Sequence, residues 1–189
     1  MAQHVSLPSA ATLALVLLRC ELEANGAETL QDLVLAADDR FWDAYELATQ
    51  GRPFAAIYLA GFAGEMLLKT AGFRFDGALP GDAVQPRLGP AKAFGAARFP
   101  TIAFESYHSL RFWVAFLEHK RADAARPLDP SLLSELHKRV DHAHEIWWVS
   151  MRYRAASVPS GVAAAVQSDL HPLLEEIDWL RKSHAALWS

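Results

Sequence analysis

Residues 52–69, RPFAAIYLAGFAGEMLLK, constrain the fold of this chain more than any other stretch. Pro53 suits the first turn of a helix, where the amide hydrogen it lacks would have no partner anyway. Ala55, Ala56, Ala60, Gly61, Ala63 and Gly64 keep that helix thin, so neighbours can approach closely. Ile57, Leu59, Phe62, Met66, Leu67 and Leu68 fill the space between them. After the start, only Tyr58, Glu65 and Lys69 are polar. At about 100° per residue they share a narrow sector with Phe62. A helix apolar on nearly every side is a buried central helix, and a bundle must surround it.

The rest of the chain supplies that bundle. Its 189 residues suffice for one domain, 1–189, with a sizeable core. A net charge of -4 argues against indiscriminate coating of nucleic acid, which needs a basic surface. Cys20 is the single cysteine, so no intrachain disulfide forms and a reducing compartment is expected. The apolar run 10–18 lacks the preceding positive cluster of a secretory signal. It is also shorter than the ~20 residues that span a bilayer. It reads as a core-facing helix of a cytoplasmic protein, with no membrane partner.

Ser9 is a candidate N-cap for this extra N-terminal helix (residues 1–26), which reaches about residue 23 and ends at Asn25-Gly26. The spacing predicts a second helix over 28–50, with Leu30, Leu33, Val34, Ala37, Phe41, Ala44, Tyr45 and Ala48 on one apolar stripe. Asp38, Asp39, Asp43 and Glu46 fall largely off it, as a solvated acidic face. The tight Gly51-Arg52-Pro53 link makes this helix and the central one antiparallel neighbours. Gly72 is expected to end the central helix. Residues 72–104, with four prolines alternating with glycines, read as a long locally basic loop pinned by Phe73, Phe75, Phe94 and Phe99. Further helices are expected over 104–119, 130–154 and 162–187, the last kinked or divided at Pro172. No alternating run of strand length occurs. The fold class is all-α, a bundle of five to six helices.

The segment GRPFAAIYLAGFAGEMLLK resembles the second helix of HEPN-domain proteins through Gly51, Arg52, Ala56, Tyr58, Leu59, Gly61, Phe62, Glu65, Leu68 and Lys69. Phe62 stands where the family pattern has tyrosine. His108-Ser109-Leu110 is similar to the family's His-x-Leu, and residues 147–154 (WWVSMRYR) to its Trp…Arg-Tyr helix. The resemblance implies a homodimer formed through helix faces. Some family members are ribonuclease toxins paired with nucleotidyltransferase-like antitoxins, and others are inactive binding or scaffold domains. The toxins carry an Arg followed, after a few residues, by a His that assists cleavage of RNA at its 2′-hydroxyl. No His follows Arg152 or Arg154 at that reach.

Three candidate constellations emerge. Glu65 and Lys69 sit one turn apart in the orientation that favours an ion pair. Charged groups on a buried helix need partners, and Arg152 and Tyr153 are the candidates to complete a small polar ligand-binding pocket. Arg139 and His144 have the ribonuclease spacing, but positions five apart on one helix diverge by about 140°. His137, Asp141 and His144 share a helix face at a metal-ligand spacing, without a second Glu-x-x-His on another helix to complete the site. The resemblance, without the ribonuclease His after Arg152 or Arg154, implies a non-catalytic binding or regulatory domain in a toxin–antitoxin or nucleotide-linked system, with RNA or a nucleotide as ligand and no cofactor. The alternatives are a metal-independent ribonuclease and a metal-binding bundle. Trp113, Trp147 and Trp148 fall where core or interface packing would use them.

Overall fold

A computed structural model describes residues 28–103, 108–147 and 160–189. Among them lie seven helices and no strand. The expected N-terminal helix lies outside the described residues.

Helix α1 (Leu30–Thr49) starts at a reciprocal cap. The Thr29 hydroxyl accepts from the Asp32 amide at 3.2 Å, and the Asp32 carboxylate accepts from the Thr29 amide at 2.9 Å. The Thr29 hydroxyl and amide hold the Asp32 carboxyl below its ordinary range. Leu30, Leu33, Ala37, Phe41 and Ala44 form the buried stripe. Tyr45, assigned by spacing to that stripe, is instead 52% exposed, because the core ends on the Phe41–Ala44 side.

Gly51, with φ +69°, turns the chain into α2 (Pro53–Phe75). The short link sets α1 and α2 antiparallel. Helix α2 is the axis of the bundle and packs most extensively on α1 and α7 (Ser160–Trp188). It is long and apolar enough to cross a membrane, but 67% of its apolar window is buried by its own neighbours. Gly72 does not end it. A Cβ there would meet the Phe116 ring at 2.8 Å, so this glycine serves close helix approach and not termination.

The expected loop over 72–104 is largely helical, which corrects the sequence reading. Helix α3 (Gln85–Arg98) contains Pro90, and the short α4 (Pro100–Ala103) follows. Proline is tolerated in the first turn, as at Pro86, but costs a hydrogen bond at Pro90. Tertiary packing overrides that cost. Phe94 and Phe99 join Phe112 and Phe116 in one edge-to-face cluster with ring centroids 5.5–6.4 Å apart.

Helix α5 (Leu110–Asp123) begins later than residue 104, because the Ser109 hydroxyl caps it by accepting from the Phe112 amide. Asp129 caps α6 (Pro130–Ile146), accepting from the Ser131 and Leu132 amides. Leu136, Val140 and Ala143, spaced four and three residues apart, carry its buried stripe to the core. The helix ends at Trp147, whose backbone is extended, so it stops short of residue 154. Helix α7 passes Pro172 without dividing. Its C-terminal carbonyls would otherwise lack donors. The buried Arg121 supplies them, donating to Leu187 O at 3.0 Å and Ser189 O at 3.3 Å.

Candidate functional site

Glu65 lies in the middle of α2 and is 2% exposed. A carboxylate so buried persists only if both oxygens are satisfied. Lys69, one turn on, donates from Nζ to Oε1 at 2.7 Å. His108, immediately before α5, places Nδ1 2.9 Å from Oε2. An ionised carboxylate can only accept, so Nδ1 carries the proton in this pair. The Lys69 ammonium also sits 5.4 Å from the centroid of the Trp113 ring. Elements 43 residues apart are thus joined through one buried carboxylate.

Aromatic rings wall the cluster. The Phe62 ring packs edge-to-face with Tyr58, Trp147 and His108, at centroid distances of 4.8, 5.6 and 6.0 Å. Trp147 is fully buried and donates its indole N–H to Tyr58 O at 3.1 Å. Gly61 makes this possible: a Cβ there would lie 2.1 Å from the indole ring. The small residue in the family-like pattern therefore has a packing role as well.

Of the four residues assigned to the polar pocket, Glu65 and Lys69 come together. Arg152 and Tyr153 lie outside the described residues. His108 is the partner that residue-by-residue reasoning missed. Its only sequence signal was the His-x-Leu likeness, because nothing local ties position 108 to position 65.

Arg139 turns toward α7. Its guanidinium donates to Glu135 at 2.6 Å and Glu176 at 2.7 Å, and lies 5.3 Å from the Trp179 ring. Burial works against its charge, but the hydrogen bonds to Glu176 and Glu135 more than offset this and raise its pKa above the ordinary value. His142 completes the group through Glu176 Oε1 at 3.1 Å. The would-be metal face is divided among other partners. His137 meets Glu118 at 3.0 Å, and Asp141 accepts from Arg111 Nε at 2.7 Å. Among the described residues, no group of three or more His, Cys, Asp and Glu side chains is placed to hold a metal ion.

A separate half-buried histidine sits near the far end of α7. His184 Nε2 is 3.0 Å from the Thr70 hydroxyl. Burial, aided by the positive charge of Arg74, lowers its pKa against an opposing backbone hydrogen bond at Leu67. No family model, curated protein or solved structure matches the chain.

Proposed function

We propose that this chain is a HEPN-like domain that binds and regulates without cleaving, as part of a toxin–antitoxin or nucleotide-linked system. It acts as a homodimer with a nucleotidyltransferase-like protein partner. The observation that supports the non-catalytic reading is that the Arg139 guanidinium and the Glu65 carboxylate are both engaged within the bundle. A general base needs an accessible lone pair within reach of the proton it takes. This carboxylate is 2% exposed, and Lys69 and His108 occupy opposite oxygens. Its chemistry is directed inward, locking α2 to the start of α5. Arg139 is likewise engaged by Glu135 and Glu176.

The test is incubation of purified protein with total RNA, beside the Arg139→Ala and His144→Ala variants. The expected result is intact RNA in all three samples. Cleavage by the unaltered protein that either substitution abolishes would overturn the reading in favour of a metal-independent ribonuclease.

A further inference from the structure

Helix α1 interleaves apolar and acidic side chains on its exposed face. Leu35, Trp42 and Tyr45 are 57%, 54% and 52% exposed. Asp38, Asp39 and Glu46 are exposed too, and steps of three and four residues put all six in one sector of about 120°. Beside Trp42 and Tyr45 a groove of about 460 Å³ opens between α1 and α7, with Phe41, Leu170 and Leu174 as apolar lining and Glu175 and Asp178 on the α7 side.

The charges on this face are unbalanced. Asp39 has no ion pair among the described residues. The Glu46 carboxylate accepts from a neutral amide, that of Gln50, at 2.9 Å. Arg40, the only basic residue of α1, lies about 140° round the helix from Leu35 and pairs with Asp43 at 2.9 Å. Lys182 is taken up by Asp178 at 2.5 Å. Arg181 shows what the groove accepts. Its guanidinium lies 4.5 Å from the Phe41 ring and 5.2 Å from the Trp42 ring, and it donates to Asp38 at 2.9 Å and Asp178 at 2.8 Å. Carboxylates and aromatic faces together hold a cation there. Toward Thr49, Tyr45 with Glu46 and Glu175 offers the same two chemistries, and no Lys or Arg of the described residues pairs with either carboxylate.

We propose that the α1–α7 face binds a cationic amphipathic helical segment of a protein partner. Its apolar side chains enter beside Trp42 and Tyr45, and its Lys or Arg residues meet Asp39, Glu46 and Glu175. An uncharged apolar segment would strip water from these carboxylates without replacing it. Nucleic acid and anionic membranes are repelled by them. A second copy in a two-fold contact would set the acids of α1 against their own like charges. The face runs about 21 Å from Leu35 to Thr49, the length of a helix of about four turns and more than a small cation spans. It shares no residue with the Glu65 cluster, so its role does not depend on the HEPN-like reading.

Fluorescence anisotropy of a labelled peptide titrated with the full chain tests this. The probe is a helical peptide of about fourteen residues with Leu along one face and Lys and Arg on the other. A scrambled peptide of the same composition and a version with Glu for every Lys and Arg are the controls. The expected result is saturable binding of the probe, weakened about tenfold or more in Trp42→Ala and in the double variant Asp39→Asn with Glu46→Gln. Asp123→Asn with Glu145→Gln removes as much charge from two exposed acids of α5 and α6, and should change binding by no more than about twofold. If Trp42→Ala lacks the helical circular dichroism of the unaltered protein, Tyr45→Ser takes its place. Absence of saturable binding up to about 1 mM overturns the assignment. So does equal binding of the scrambled or the acidic peptide, or equal weakening by the two charge variants.

Discussion

Replacing Gly61 by Ala tests the contact on which the aromatic wall depends. On an exposed helix the change would stabilise by about 1 kcal/mol, since alanine is the better helix former. Here an added Cβ lies 2.1–2.2 Å from three atoms of the Trp147 ring. Comfortable carbon–carbon separation is about 3.5–4.0 Å, so the ring must retreat by roughly 1.5 Å. Overpacking of that kind costs about 1–3 kcal/mol. The retreat also stretches the 3.1 Å indole bond to Tyr58 O, and an unmade buried hydrogen bond costs about 1–3 kcal/mol more. Setting these against the propensity gain leaves a net loss of about 1–5 kcal/mol. Urea denaturation followed by far-ultraviolet circular dichroism measures it. A double variant, Gly61→Ala with Trp147→Ala, separates the clash from other effects. Its loss should be smaller than the sum of the two single losses, because the Cβ then meets no ring. A Gly61→Ala protein as stable as the unaltered one, or strict additivity in the double variant, refutes the argument.

Two further outcomes follow from Glu65 and the half-buried His184. Glu65→Gln keeps the shape but leaves the Lys69 ammonium buried without its counter-charge, so a loss of about 3–5 kcal/mol is expected in the same denaturation assay; a change under 1 kcal/mol would show that the pair is not held as described. For His184 the folded-state pKa lies below the unfolded one, so the unfolded chain takes up the proton first as pH falls. Stability contributed by the neutral ring is therefore present above about pH 6.5 and is lost as pH drops from there toward the folded pKa, with a limiting slope of about 1.4 kcal/mol per pH unit. Urea midpoints between pH 7.5 and 5 should fall more steeply for the unaltered protein than for His184→Gln, and parallel curves would remove His184 as the cause.

Periodicity alone made legible the all-α class, the central position of α2 and the Leu30–Ala44 part of the buried stripe of α1. Each rests on a period of 3.6 residues, which is information held within a few turns of chain. The pairing of Glu65 with Lys69 was legible for the same reason, since both lie one turn apart on one face. Tertiary structure decided everything that depended on a distant neighbour. Gly72 looked like a helix terminator until Phe116 packed against it, and the proline-rich stretch looked irregular until Phe94 and Phe99 found the rings of α5. Tyr45 had the spacing of a core residue and stayed exposed, because spacing fixes the face of a helix but not where its neighbours stop. His108 shows the same limit at the candidate site. Local patterning could state that the buried Glu65 needed a second partner, but only the packing of α5 on α2 chose a histidine 43 residues away.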